Sequence, residues 1–203
     1  MQLEQWKNQG HYFRYKDQYP IFYRREGQGP TLLLLHGLPT ASWDWHKIWP
    51  QLIQYFEVVA PDFIGFGYSD KPAGYPYSIM DQSDLIEALM AHLELREAHV
   101  FAHDYGDSVF QELLARHMDR LVNKSQGLYL HDAVLLNGGL FPETHHALPI
   151  QKLMVSPIGF LFTPFLNKNK LRKSFQRIFG PKTKATAKEI DEFYSLIEYN
   201  KGR

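Results

Sequence analysis

The 203-residue sequence contains no cysteine, which excludes disulfide bridges, thiol nucleophiles and thiolate-bound metals. Its 22 basic and 22 acidic side chains give a formal net charge of zero, so we expect no nucleic-acid partner. It has no apolar run of about 18 residues and no hydrophobic signal segment near Met1, which predicts no membrane segment. We therefore expect a cytoplasmic protein. The sequence does not predict the oligomeric state.

What the chain does contain is an alternation of short apolar runs with helix-period patterns. Such alternation predicts an α/β fold, a mostly parallel, doubly wound sheet with helices on both faces. Ser42 precedes a broad aromatic face up to Leu52, which predicts a further helix. The predicted strands are a leading hairpin at 11–15 and 20–25, then 31–35, 57–62, 98–103 and 130–136, and the main predicted helices are 79–93, 104–119 and one starting at Thr186.

The stretch from Val100 to Asp107 organises the rest of the chain. An apolar run turns at Ala102, Asp104 and Gly106 and then becomes a helix-period pattern. Small-x-acid-x-small between a strand and a helix is typical of a nucleophile elbow, a strained turn that exposes the central side chain. The elbow usually carries serine, but a carboxylate is also a competent covalent nucleophile. Asp104 is therefore the predicted catalytic residue.

Polar side chains follow the predicted strands at the points where each strand ends. They are His36, Asp62, Asp104 and Asn137. Ligands of parallel α/β sheets bind outside the carboxyl ends of the strands. We expect these residues to converge on one site, with Asp62 hydrogen-bonding the backbone of the loop 65–69.

Three motifs in this order and spacing resemble the α/β-hydrolase superfamily, in the branch of epoxide hydrolases and haloalkane dehalogenases. They are His36-Gly37-x-Pro39, Asp62-x-x-Gly65-x-Gly67-x-Ser69 and His103-Asp104-x-Gly106. More narrowly, the segments 104–107 and 137–145 resemble the subgroup of mesoderm-specific transcript proteins.

The resemblance implies a two-step mechanism in which Asp104 forms an ester with substrate and a histidine-activated water hydrolyses it. The backbone N–H groups of Leu38 and Tyr105 would form the oxyanion hole. The remaining motif residues would shape the site: His36, Gly37, Pro39, His103, Gly106 and Asn137. Of these, His36 is expected to stabilise the turn, and His103 to pack or hydrogen-bond. The resemblance implies no cofactor.

The chain departs from the family at two halide contacts. Dehalogenases place an asparagine after His-Gly and a tryptophan after the nucleophile, where this chain has Leu38 and Tyr105. The missing N–H donors favour an epoxide hydrolase-like enzyme acting on a small apolar substrate, with a haloalkane dehalogenase as the alternative. Epoxide hydrolases use cap tyrosines as acids, and the possible ones are Tyr194 and Tyr199.

The segment after residue 141 has a different character, because prolines interrupt it repeatedly. We interpret 1–141 as the N-terminal part of the hydrolase core and 142–203 as part of a helical cap. The family's last strands and its histidine base would then lie beyond Arg203, so a catalytically incomplete fragment with a binding or scaffold role is a further alternative. His145 and His146 have only Glu143 nearby, which predicts no metal site.

Overall fold

A computed structural model of the chain describes residues 1–139 and 168–201. The second half of the 137–145 motif, including His145, lies outside the described residues, as does His146. The chain divides into two compact units, Met1–Leu140 and Phe141–Arg203. The assignment of the second unit to a cap remains a prediction.

The first unit is built on a six-stranded sheet with the order β1-β2-β4-β3-β5-β6. The first two strands form an antiparallel hairpin, β2 pairs antiparallel with β4, and β3 to β6 are parallel, as the apolar runs predict. The strands are β1 (His11–Tyr15), β2 (Tyr19–Glu26), β3 (Thr31–Leu35), β4 (Glu57–Pro61), β5 (Glu97–His103) and β6 (Tyr129–Leu136).

The strands of the sheet differ in how far they are buried. Every residue of β3 is buried, because helical segments cover both faces of this central strand. In β5 burial alternates: Val100 and Ala102 enter the main core, while Phe101 stacks on Trp45 with ring centroids 5.8 Å apart. Strand β6 is mostly exposed.

The first unit contains two long helices, Ile79–His92 and Tyr105–Asn123, which pack on each other. Ser78 caps the first by accepting the Asp81 N–H at 3.1 Å. The second begins at the elbow and extends to Asn123, four residues beyond the predicted end. No helix within residues 1–139 and 168–201 is long and apolar enough to cross a membrane. The helices are α1 (Leu3–Asn8), α2 (Trp49–Leu52), α3 (Ile79–His92), α4 (Tyr105–Asn123), α5 (Lys168–Ile178) and α6 (Ala187–Glu198).

The predicted helix after Ser42 is wrong in its extent. The chain forms a short 3₁₀ helix, Ser42–Trp45, and then the four-residue α2. Pro50 has no N–H to donate to a preceding turn, so a continuous helix cannot run through it. Ser42 does not cap a helix with its side chain; its Oγ accepts the Trp6 indole N–H at 3.3 Å.

The second unit contains α5 and α6. Thr186 and Glu189 form a capping box at the start of α6, which matches the predicted start at Thr186. The rings of Phe175 and Phe193 meet edge to face with centroids 5.3 Å apart. This aromatic contact joins the buried sides of the two helices.

Candidate active site

The turn between β5 and α4 has the backbone of an elbow. Asp104 has φ 53° and ψ −108°, a conformation that a residue with a side chain rarely adopts. Its N–H donates to the Leu136 carbonyl at 2.9 Å, which holds the turn against the end of β6. The Asp104 side chain makes no capping hydrogen bond to α4. The strained turn therefore leaves the carboxylate available for another role.

Two glycines allow the strand ends and the helix to approach closely. A Cβ on Gly106 would lie 2.4 Å from the Leu35 carbonyl oxygen, so only glycine lets α4 start against β3. A Cβ on Gly37 would lie 2.8 Å from His103 Nδ1 and 2.9 Å from Asp104 Cβ. The absence of both side chains brings the loop after β3 onto the elbow.

The loop after β3 presents a backbone donor to Asp104. The Leu38 N–H donates to Asp104 Oδ2 at 3.0 Å. On the opposite side of the same peptide unit, the Gly37 carbonyl accepts from His36 Nδ1 at 2.8 Å. Leu38 precedes Pro39 in a cis peptide bond. Tyr105 is the first residue of α4, where backbone N–H groups have no partner within the helix.

His36 is a fully buried part of this loop. Its Nε2 accepts the Phe63 N–H at 3.1 Å, so its proton is on Nδ1, which donates to Gly37. Burial lowers the pKa of His36 to about 4, against a smaller opposing effect of the Gly37 hydrogen bond. The ring is therefore neutral near pH 7 and cannot take a further proton there.

Asp62 structures the loop after β4, as the sequence predicts. Its carboxylate accepts the N–H groups of Ser42 and Tyr68, each at 2.7 Å, and its carbonyl accepts the Ser69 hydroxyl at 2.6 Å. Burial raises the pKa of Asp62 to about 6, and the hydrogen bonds with Ser42 and Tyr68 act in the opposite direction. Asp62 thus supports the site without facing the elbow.

A second carboxyl, Asp44, lies beside the elbow. Its Oδ2 is 2.5 Å from Thr40 Oγ1 and 3.9 Å from His103 Nδ1. Burial, with a smaller contribution from the carboxylates of Asp62 and Asp104, raises the pKa of Asp44 to about 7, against the opposing hydrogen bonds with Thr40 and the Gly37 backbone. Burial lowers the pKa of His103, while Asp104 raises it. Near pH 7, Asp44 is therefore about half ionised.

A third carboxyl, Asp107, lies in the first turn of α4. Its side chain is fully buried and neither carboxylate oxygen has a hydrogen-bond partner of good geometry. A Cβ on Gly138 would lie 2.0 Å from Asp107 Oδ2, so the glycine lets the end of β6 close over this carboxyl. Burial raises the pKa of Asp107 to about 6. Asn137, the residue before Gly138, is exposed and has a φ of 58°.

The side chains of the two predicted oxyanion-hole residues point to different surroundings. The Leu38 side chain is 56% exposed. The Tyr105 ring packs between Phe63 and Phe66, with both centroid distances 5.7 Å. Neither side chain is an N–H donor, so any N–H contact of these two residues to an anion must come from the backbone.

The two predicted cap acids belong to the second unit. Tyr194 Oη donates to Glu198 Oε1 at 2.9 Å, one turn further along α6. Tyr199 ends the same helix. Their role as acids remains a prediction. Among residues 1–139 and 168–201, no group of His, Cys, Asp and Glu side chains is arranged to hold a metal.

Sequence reasoning missed Asp44, Thr40 and Asp107. Asp44 lies in a segment predicted to be a helix with an aromatic core face, which hides a buried acid. The sequence does contain a signal for Asp107: this acid is three residues after Asp104, at the start of the predicted helix, and therefore close to another acid. Its burial against Gly138 depends on the packing of β6 on the elbow.

A parallel sheet, an elbow after β5 and a backbone donor after β3 define an α/β hydrolase. The chain belongs to the alpha/beta hydrolase fold family, whose pattern matches residues 30–155. It is 41% identical to the mesoderm-specific transcript protein of Mus musculus over 212 residues, an alignment covering 98% of this chain and 61% of that protein. The chain thus spans about three fifths of the length of this relative.

Other similarities fall within the same fold. Over 101 residues, the chain is 36% identical to haloalkane dehalogenase 2 of Mycobacterium tuberculosis, covering 50% of this chain and 35% of that protein. The structure of the haloalkane dehalogenase DbeA from Bradyrhizobium elkani matches with a TM-score of 0.74 at 21% identity, over 96% of this chain and 65% of that one. The epoxide hydrolase CorEH matches with a TM-score of 0.63 at 21% identity, over 95% of this chain and 69% of that one.

Proposed function

We propose that Asp104 is the covalent nucleophile of a hydrolase that forms an alkyl-enzyme ester with a small apolar substrate, most like an epoxide hydrolase. The observation that carries this proposal is the pairing of a strained elbow with one oriented carboxylate. The Leu38 N–H holds Asp104 Oδ2 at 3.0 Å, which leaves Oδ1 as the attacking atom. An oriented carboxylate without a capping bond is a competent nucleophile.

In the first step, Asp104 Oδ1 attacks a carbon of the epoxide ring. A carbon–oxygen bond forms to the enzyme, and the ring carbon–oxygen bond breaks with its electron pair moving to the ring oxygen. That oxygen takes a proton from an acid, for which Tyr194 and Tyr199 remain the proposed candidates. The product of this step is a hydroxyalkyl ester of Asp104.

In the second step, water attacks the carbonyl carbon of the ester and transfers a proton to a base. Negative charge develops on Oδ2, where the Leu38 N–H is already in place, and the Tyr105 N–H is the proposed second donor. Removing one such donor typically lowers the rate by about 10²–10³. When the intermediate collapses, the bond between the carbonyl carbon and Oδ1 breaks, and the departing oxygen takes the proton of the added hydroxyl, which releases the diol and restores the carboxylate. We assign the base to no described residue. His36 is not a candidate, because it is buried and already bonded through both ring nitrogens.

The contacts around the elbow favour an epoxide over an alkyl halide. Hydrogen-bond donors stabilise a departing halide, but the side chains of Leu38 and Tyr105 carry no N–H group, and the Tyr105 ring packs between Phe63 and Phe66. The similarity to a haloalkane dehalogenase keeps the halide reaction as the second candidate. Both reactions use the same nucleophile and give an ester at the same atom.

Intact-protein mass spectrometry tests the proposal. The chain is incubated separately with an aryl epoxide and with a primary alkyl bromide, and peptide mapping locates the added mass. We expect one adduct on Asp104 with the epoxide, none in Asp104→Asn, and the normal adduct in Asp119→Asn, an exposed acid on the same helix. Adduct on another residue, or an undiminished adduct in Asp104→Asn, would reject Asp104. A larger adduct with the bromide would favour the dehalogenase.

The fate of the adduct distinguishes a complete enzyme from a binding or scaffold role. Loss of the adduct with release of diol would show that the chain supplies a base. An adduct that persists would show that the ester forms but is not hydrolysed. No adduct from either probe, with the fold intact, would support the third alternative, a chain that binds without turnover.

A further inference from the structure

The peptide unit between Gly37 and Leu38 is hydrogen-bonded on both sides. Its N–H donates to Asp104 Oδ2 at 3.0 Å. Its carbonyl oxygen lies 2.8 Å from His36 Nδ1 and 3.1 Å from Thr40 Oγ1. Hydrogen bonds accepted by a peptide carbonyl polarise the unit and strengthen its N–H as a donor. Groups that bond the Gly37 carbonyl therefore act on Asp104 without touching it.

The Thr40 hydroxyl has two neighbouring acceptors but only one proton. Its Oγ1 lies 3.1 Å from the Gly37 carbonyl and 2.5 Å from Asp44 Oδ2. When Asp44 is ionised, it accepts the Thr40 proton, and the Gly37 carbonyl keeps only the bond from His36. When Asp44 is protonated, it can donate to Thr40 Oγ1, which frees the Thr40 proton for the Gly37 carbonyl.

We infer that Asp44 is a positioning residue of this site: through Thr40 it sets the donor strength of the Gly37–Leu38 peptide toward Asp104. The relay runs from Asp44 Oδ2 to Thr40 Oγ1, to the Gly37 carbonyl, and through the peptide to the Leu38 N–H. The relay itself stands on geometry, while its consequence for catalysis rests on the proposed function of Asp104. Asp44 makes no contact with substrate in this role.

The groups around Asp44 determine when the relay changes state. His103 Nδ1 faces it at 3.9 Å, the backbone of Gly37 stabilises its charged form, and the carboxylates of Asp62 and Asp104 oppose that form. With burial as the largest influence, the pKa of Asp44 rises to about 7. The Leu38 N–H is accordingly the stronger donor below pH 7 and the weaker donor above it.

NMR of the free protein tests the relay without substrate. The Leu38 amide proton is followed as the pH is raised, because its shift reports the strength of the hydrogen bond that it donates. In the wild-type chain we expect an upfield step with a midpoint near pH 7. The step should be lost in Asp44→Asn and in Thr40→Val. It should return in Thr40→Ser, which restores the hydroxyl.

Two controls separate Asp44 from its charged neighbours. The step should persist in Asp104→Asn, because the titrating group is not the acceptor of the Leu38 N–H. It should also persist in Asp119→Asn, an exposed acid on α4. A step that survives in both Asp44→Asn and Thr40→Val, or that is absent from the wild-type chain, would overturn the inference. Should Asp44→Asn fail to fold, the Thr40→Val and Thr40→Ser pair decides the question.

The two proposals fail in different ways. A pH step at Leu38 without any adduct on Asp104 would reject the nucleophile and keep the relay. An adduct on Asp104 with no pH step would keep the nucleophile and reject the relay. Where both hold, the rate of adduct formation in Asp44→Asn should lose the pH dependence centred near 7 that the wild-type chain shows.

Discussion

Two loops at the carboxyl ends of neighbouring strands use similar residues for opposite purposes. The loop after β4 (62–71) contains the fully buried carboxyl of Asp62, and the loop after β3 (36–45) contains Asp44, whose side chain is 15% exposed. Each loop also contains a glycine in close contact with its neighbours. In the β4 loop, Asp62 accepts two backbone N–H groups of the protein itself. In the β3 loop, the Leu38 N–H points to the carboxylate of Asp104, the predicted nucleophile.

The two loops therefore differ in the groups to which they bond: the Asp62 carboxylate stabilises its own loop at Tyr68, whereas the Leu38 N–H of the β3 loop reaches the elbow. The polar groups of the β4 loop bond to one another, to the sheet and, through Asp62, to Ser42 of the β3 loop. Ser69, for example, accepts the Phe22 N–H at 2.9 Å. The β3 loop instead bonds to the elbow, whose backbone is strained. Substitutions in the β4 loop should therefore affect stability, and those in the β3 loop and elbow should affect chemistry.

The largest effect on stability should come from Asp62→Ala. The substitution leaves the N–H groups of Ser42 and Tyr68 without their acceptor, at about 1–3 kcal/mol for each buried group. We expect a loss of about 2–6 kcal/mol in the free energy of unfolding, measured by urea denaturation. A loss below about 1 kcal/mol would show that water replaces the carboxylate and that the loop is not self-contained.

The two glycines sharpen the comparison. Gly67→Ala places a Cβ 2.0 Å from Asp62 Oδ2 at φ 52°, which should cost about 2–5 kcal/mol from overpacking and backbone strain together. Gly37→Ala presses on His103 and Asp104 at 2.8 and 2.9 Å, and should cost about 1–3 kcal/mol. Only Gly37→Ala should also slow adduct formation on Asp104. Stability is measured by urea denaturation, and adduct rates are measured at a temperature where both variants are folded. Adduct formation that slows in Gly67→Ala as much as in Gly37→Ala would contradict this expectation.

Asp104→Gly should change stability in the opposite direction. Glycine adopts φ 53° and ψ −108° without the strain of a side chain, and no capping bond is lost. The Leu38 N–H loses its Asp104 acceptor, but this hydrogen bond is exposed, so water can replace the carboxylate. We expect a gain of about 1 kcal/mol in the free energy of unfolding together with complete loss of the adduct. The effect is measured by thermal and urea denaturation, with Asp119→Gly as a control. That substitution lies within a helix and is expected to lower stability. Destabilisation by Asp104→Gly would mean that the carboxylate supports the fold.

Stability should also change with pH. The folded-state pKa of Asp44 is about 7, above its ordinary 3.8, so its protonation favours the folded state. This contribution is complete below pH 4 and is lost as the pH rises through 7. His36 acts oppositely, because its pKa falls to about 4 and its protonation below the ordinary 6.5 opposes folding. The test is therefore the difference between the wild-type chain and Asp44→Asn, in urea from pH 4 to pH 8.

That stability difference should fall as the pH rises from 4 to 7 and stay constant above about pH 8. His36 is present in both chains, so its contribution cancels. A difference that does not vary with pH would show that Asp44 titrates at an ordinary value.

Much of the fold and part of the site follow from local pattern. The apolar runs predict the strands because parallel strands buried on both faces need continuous apolar sequence. The elbow is predictable because Asp104 is flanked by the small residues Ala102 and Gly106 at the required spacing. The segment 43–52 was less predictable: its aromatic periodicity favours a helix, while Pro50 and the anchoring of Ser42 to Asp62 prevent a continuous one.

By itself, the sequence determined the strand order along the chain, the elbow and the carboxylate at its centre, because these depend on the spacing of small, apolar and acidic residues. Only the tertiary structure decided that Thr40 and Asp44 lie behind the peptide that donates to Asp104, and that Asp107 is closed over by Gly138. The physical reason is that burial and hydrogen bonding of a carboxyl depend on segments brought together by the sheet. Sequence spacing shows which groups exist, and packing decides which of them come within hydrogen-bond distance.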